Sequence, residues 1–352
     1  MSSESPALGG QRHASAACSI GHPDSQGHLF THGNLLLESA QQIRLIRLYP
    51  GSVEDALSCE VFTVDLSNHL TYDAVSYTWA TEDGDDSRSH LINCNGKSLS
   101  ITENCDAVLR MLRLRSMPRP LWVDSICIDQ NNVQERNHQV GLMDRIYRMA
   151  SMVHICISDS KHDYSEAFRW LKYMRGDKKH TAFVQMKQLF CRRYFTRVWV
   201  TQEVVLAEAV VLHVNEDSIL LAPEILRRLM PSCWTYQIDV PVQLQWVSAS
   251  RHLDSLVRCL RLSINANSSD ARDKVFGIMS LVRPELRSLV PVDYTLSWSQ
   301  VFESATAACI YECQELSVLS YAKPLTARRF RTDSIFGLEQ FRRFSGKPGI
   351  ME

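Results

Sequence analysis

From residue 104 onward the chain alternates segments of two hydrophobic periods, and this alternation limits what it can fold into. Residues 104–115 carry Ala107, Val108, Met111, Leu112 and Leu114, which predicts a helix with one apolar face. Leu121-Trp122-Val123-Asp124 then reads as a short strand behind Pro118 and Pro120. Asn132 and Glu135 have capping-box spacing, and the helix behind them places Val140, Met143, Tyr147 and Ala150 three or four residues apart. Residues 152–157 are almost continuously apolar, as expected of a strand buried on both faces of a parallel sheet. Helices are expected over 165–174, 183–190 and 198–207, and a strand over 210–214. Strands alternating with helices predict a parallel sheet with right-handed crossovers, built from 72–78, 121–124, 153–158 and 210–214.

The flanking regions follow other patterns. Strands are expected over 43–49 and 61–64, and 91–94 and 98–101 read as a hairpin closed by Asn95-Gly96. Asn-Gly suits a tight hairpin because both residues tolerate positive φ. Beyond 214 the chain reads as mainly helical, over 223–230, 244–262, 271–282 and 299–313. The fold class expected is therefore α/β, with an N-terminal β-hairpin region and a mainly helical C-terminal part. The divisions are a flexible leader over 1–40, an α/β domain over 41–215, a helical extension over 216–325 packed on it, and a divergent or truncated tail over 326–352.

Composition excludes several function classes. With 352 residues, 45% of them hydrophobic, the chain builds a core without disulfides or metals. A net charge of -1 gives no global field for nucleic acid or an anionic membrane. The 11 cysteines include no Cys-x-x-Cys pair, and Cys127 and Cys156 sit in apolar runs as small buried hydrophobes. Cys309 and Cys313 lack a nearby His to complete a zinc set, so no metal site is expected. The longest apolar stretch, 198–214, is broken by Glu203 and Glu208, and the leader has no secretory apolar region. A cytoplasmic protein without a membrane span is expected.

Four segments carry a resemblance. They are Tyr72-Asp73-Ala74-Val75-Ser76-Tyr77-Thr78-Trp79; Leu121 to Gln130 with Glu135, Gln139 and Met143 behind it; Tyr194-Phe195-Thr196-Arg197-Val198-Trp199-Val200-Thr201-Gln202-Glu203-Val204; and Asp270-Ala271-Arg272-Asp273-Lys274-Val275-Phe276-Gly277 with Val292-Asp293-Tyr294. In order and spacing they resemble the heterokaryon-incompatibility (HET) domain of fungi. After Leu319-Ser320 the family pattern expects a Trp-rich segment, and this chain instead runs through Arg328-Arg329-Phe330-Arg331. The order of elements is also similar to Toll/interleukin-receptor-like (TIR) domains, which have a flavodoxin-like parallel sheet flanked by helices. The first resemblance implies a nonself-recognition effector linked to regulated cell death, with other incompatibility proteins or a second copy of itself as partner. The second implies NAD cleavage, with NAD as substrate and no cofactor required. On that resemblance Glu203 is the catalytic carboxylate, and Trp199 one turn earlier walls the pocket. Ser76, Trp79, Asp124 and Ser158, at the carboxyl ends of strands, complete a nucleotide site.

Plainer roles stand beside these, and a non-catalytic interaction scaffold is the alternative function. Glu203 could pair with Arg197 or Arg192 at a helix surface, and Trp79, Trp122 and Trp199 could be core. Asp124 and Asp129 could cap a helix, and Asp270 and Asp273 could stabilise a helix N-terminus. His138 and His154 read as isolated structural residues, and the acidic loop 82–86 as solvated.

Overall fold

The four apolar runs stand side by side at the centre of one sheet. The computed structural model describes residues 29–316, apart from 36, 38, 69, 175–178 and 249–254. The leader expected over 1–40 falls mostly, and the tail over 326–352 wholly, outside the described residues. The strands are β1 (Gln42–Leu48), β2 (Ser58–Asp65), β3 (Asp73–Ser76), β4 (His90–Cys94), β5 (Lys97–Ile101), β6 (Arg119–Trp122), β7 (Val153–Ile157), β8 (Val210–Val214) and β9 (Asp217–Leu220). They form a nine-stranded mixed sheet in the order β5-β4-β2-β1-β6-β3-β7-β8-β9. Its middle is parallel: β3 pairs with β6 (Asp73↔Leu121) and with β7 (Ala74↔Val153), and β7 pairs with β8 (Val153↔Val210). Every residue of β7 is buried, which is why its sequence shows no alternation.

The α-helices among the described residues are α1 (Glu103–Leu112), α2 (Asp124–Cys127), α3 (Val133–Met149), α4 (Ser165–Tyr173), α5 (Lys179–Phe190), α6 (Arg193–Thr196), α7 (Val200–Val205), α8 (Pro223–Thr235), α9 (Val242–Ser248), α10 (Leu256–Leu262), α11 (Asp273–Met279), α12 (Pro284–Arg287) and α13 (Trp298–Cys313). Local chemistry sets their ends. Thr102 caps α1 through the Cys105 N–H, and Cys105, Val108, Leu109 and Leu112 form its buried stripe. Ser297 and Gln300 close a reciprocal capping box on α13. The β4–β5 hairpin turns on Asn95 (φ 54°) and Gly96 (φ 78°), as the Asn-Gly pair requires.

Several expectations need correction. The four strands expected to be parallel are so, but the sheet that contains them is mixed. β1 runs antiparallel to β2 and to β6, and β9 closes the far edge antiparallel to β8. β9 lies in a stretch to which no element was assigned, because Asn215 (φ 52°) turns the chain straight back and Asp217–Leu220 is too short to show a period. The single helix expected over 244–262 is two, α9 and α10. Asp124 does not end a strand; it opens α2. Asn132 caps α3, but Glu135 does not reciprocate, since its carboxylate accepts from the Asp129 N–H (2.7 Å) and from Arg44. His154 is not isolated either. Its Nδ1 lies 2.8 Å from His213 Nε2, and its Nε2 lies 2.6 Å from Arg119, which also binds Asp73.

Short α7 packs against β3, α3, α9 and α11. The approach of α11 depends on Gly277, where an added Cβ would lie 3.1 and 3.2 Å from the methyls of buried Val198. Val198 is β-branched and stiff at χ1, so it gives way poorly. Gly277→Val is expected to destabilise the fold by about 2 kcal/mol through overpacking. A melting temperature no lower than that of the wild type in differential scanning calorimetry would disprove the close-packing role.

Candidate functional site

Three polypeptide stretches meet above the carboxyl ends of β3 and β6. The first follows β3 and brings Thr78, Trp79 and Ala80; the second follows β6 and brings Asp124, Ile128 and Gln130. α7 and the turn before it supply Arg197, Trp199 and Glu203. They enclose a cleft of about 590 Å³, within the range of small-molecule sites. The remaining wall comes from 267–273 and Tyr294, with Arg136, Val140 and Met143 of α3 beneath it.

Glu203 is 3% exposed, so it is not a surface residue paired at a helix edge. Its Oε2 accepts a hydrogen bond from Ser76 Oγ, whose oxygen lies 2.6 Å from Tyr194 Oη. With Ser76 donating to the carboxylate, Tyr194 donates to Ser76, giving a relay from α6 through β3 to α7. Burial raises the Glu203 pKa to about 7, against the opposing effects of nearby Arg197 and of the Ser76 hydrogen bond. Arg197 donates to the Tyr77 carbonyl, which holds its guanidinium at the cleft. Arg192 is committed elsewhere, to Glu82 and Asp159.

Asp124 accepts from Trp79 Nε1 at 2.9 Å and from the Ser125 N–H at 2.7 Å. Burial raises its pKa, although Arg197 and the Trp79 hydrogen bond oppose the shift. Asp273 has its pKa raised by burial while accepting from Tyr294 Oη at 2.6 Å and from the Trp199 indole. It therefore does more than stabilise the start of α11: it fastens the indole to the opposite wall. Asp270 is paired with Arg272 at 2.5 Å. Trp122 alone of the three tryptophans is core, at 0% exposure, whereas Trp79 and Trp199 are half-buried at the cleft.

The structure brings Trp79, Asp124, Trp199 and Glu203 to one cavity and sets Ser76 behind Glu203. It leaves Ser158 out: that residue is exposed and does not line the cleft. The end of β7 is closed instead by Asp159, 4% exposed, which accepts from Tyr164 Oη at 2.7 Å and pairs with Arg192. The cleft thus opens over β3 and β6 rather than over β3 and β7. Arg136, Arg197, Asn267, Ser268 and Tyr294 were not singled out as site residues. A visible signal was the Asp270-Ala-Arg-Asp273 motif, which sequence reading assigned to helix capping. Among the described residues, no three His, Cys, Asp or Glu side chains are grouped to hold a metal, and no helix is long and apolar enough to cross a membrane.

Comparison with known proteins gives this geometry a context. "Heterokaryon incompatibility protein 6, OR allele" of Neurospora crassa is 34% identical over 154 residues, covering 40% of this chain and 22% of that protein. The chain thus spans well under two thirds of this relative's length. No solved structure matches significantly. Residues 72–203 match the family described as Heterokaryon incompatibility protein (HET), so the family match runs from the entry to β3 as far as Glu203 on the cleft wall.

Proposed function

We propose that the chain acts in fungal nonself recognition, as an incompatibility effector whose output is cell death, and that its cleft cleaves NAD in the manner of TIR-like domains. The family match and the homology to an incompatibility protein support the first part. For the second, the parallel strands β3, β6, β7 and β8 cross the sheet in the order second, first, third, fourth, as in flavodoxin-like sheets. The observation that carries the reading is the buried carboxylate of Glu203, which lines a cleft together with Trp79 and Trp199.

The chemistry is direct. The nicotinamide–ribose C–N bond breaks with its electron pair going to nicotinamide, leaving oxocarbenium character on the ribose. Water adds to that carbon and loses a proton, giving ADP-ribose. Ionised Glu203 stabilises the developing charge from a water-poor site. Ser76 and Tyr194 orient the carboxylate, and Trp79 and Trp199 offer faces for ring stacking. Because Glu203 must be ionised, turnover is expected to rise with pH through about 7.

A second reading is a contact scaffold, favoured by the exposed aromatics Trp234 (79%) and Tyr173 (69%), which suit other incompatibility proteins or a second copy. An NAD-consumption assay on the purified protein over a range of concentrations and pH separates the two. Nicotinamide release that grows more than linearly with protein supports cleavage by a self-associated form. Folded protein that consumes no NAD at any concentration leaves the scaffold. Either output is exercised in the cytoplasm.

A further inference from the structure

Two buried polar groups on the cleft wall have no hydrogen-bond partner: Arg136 Nε and Ser268 Oγ. Native proteins rarely leave such groups unsatisfied, and two on residues that line one cavity call for a shared explanation. Arg136 is held in place by stacking, its guanidinium 4.2 Å from the centre of the Tyr294 ring. Among the described residues neither Arg136 nor its cleft neighbours Arg193 and Arg197 forms a close ion pair with a carboxylate. Three of the acids beside them have other partners. Asp270 is bound by Arg272, Asp273 by Tyr294 and Trp199, and Asp124 by Trp79. The cleft therefore presents guanidinium groups that make no close ion pair, next to three aromatic side chains, Trp79, Trp199 and Tyr294.

We propose that Arg136 and Ser268 form a phosphate-binding subsite, and that the cleft takes a nucleoside phosphate whose anionic group sits on them. The guanidinium Nε–H and the Ser268 hydroxyl donate to phosphate oxygens, and Arg193 and Arg197 supply further positive charge. The aromatic side chains take the base. The subsite rests on the reading of the cleft as a nucleotide site but not on Glu203 being catalytic. It also gives the wall from 267–294, which lies outside the family match at 72–203, a role in ligand choice.

The test is isothermal titration calorimetry of the full chain with ADP, inorganic pyrophosphate and adenosine. ADP is expected to bind at least about tenfold more tightly than adenosine, from charge-assisted hydrogen bonds to phosphate. Arg136→Met and Ser268→Ala are each expected to weaken ADP about tenfold while leaving adenosine unchanged. Ser268→Ala is a small change on a loop and keeps the comparison valid if Arg136→Met fails to fold. Equal affinity for ADP and adenosine overturns the proposal. So does ADP binding unaffected by Ser268→Ala and, where it folds, by Arg136→Met, which would mean that water alone satisfies these groups. Phosphate-dependent ADP binding without NAD cleavage upholds the subsite and rejects the catalytic reading. NAD cleavage with no ADP or pyrophosphate binding does the reverse.

Discussion

Replacing Glu203 by Gln is expected to raise the melting temperature at pH 8 and to remove NAD cleavage. The two effects share one cause. The Glu203 pKa moves from 4.5 to about 7 because burial penalises the anion. Below pH 4.5 both folded and unfolded states hold the proton, so no difference arises. Between 4.5 and 7 the unfolded chain releases it while the folded protein keeps it, so stability falls as pH rises. Above 7 the full penalty is present, at most about 3 kcal/mol for that gap. Gln keeps the shape and cannot ionise, so the variant should gain on the order of 1–3 kcal/mol at pH 8 and nothing at pH 4.5. Cleavage should fall about a hundredfold or more, since the charge acts in a water-poor site. Melting curves at both pH values and nicotinamide release check the pair. Full activity in the variant removes Glu203 from the mechanism. A lower melting temperature at pH 8 shows instead that the carboxylate is structural.

The largest loss of stability is expected from Arg44→Met. Arg44 is 0% exposed in the middle of β1, and its fork spans three partners. It donates to the Leu35 carbonyl (2.8 Å) and the Cys127 carbonyl (3.0 Å), and it binds both oxygens of Glu135 at 2.5 and 3.0 Å. Burial works against ionisation of Glu135, but the Arg44 hydrogen bonds prevail and hold its pKa below the usual range. Methionine fills the volume and leaves the carboxylate without its counter-charge. Breaking a buried pair from one side costs about 3–5 kcal/mol, enough to lower the melting temperature by on the order of 10 °C. The double change Arg44→Met with Glu135→Leu should recover most of that loss, because the uncompensated charge is gone. A single variant that melts within a degree of the wild type would show the pair to be dispensable. The pair also ties β1 to α2 and to the start of α3, and so supports the turn that aims Asp124 at Trp79.

Much of the framework was legible because its signals are local. The alternation of periods, the unbroken apolar run of β7, the Asn95-Gly96 turn and the capping residues of α1 and α13 each depend on residues within a turn or two of one another. The spacing of Trp199 and Glu203 belongs to the same class, and both residues reach the cleft. Other features depended on which distant segments meet. Arg44 looks like an exposed strand residue until Glu135 is folded over it. Ser158 stands at the carboxyl end of a central strand, yet Asp159 and Arg192 close that end and the cleft opens beside β6 instead. Asp270 and Asp273 were read as stabilising a helix N-terminus because nothing local ties Asp273 to Trp199, 74 residues earlier in the chain. The protonation of Glu203 is of this kind too. Residue type and spacing set a carboxylate on one face of a helix, but only the packing of α7 against β3, α3, α9 and α11 removes its water and shifts its charge.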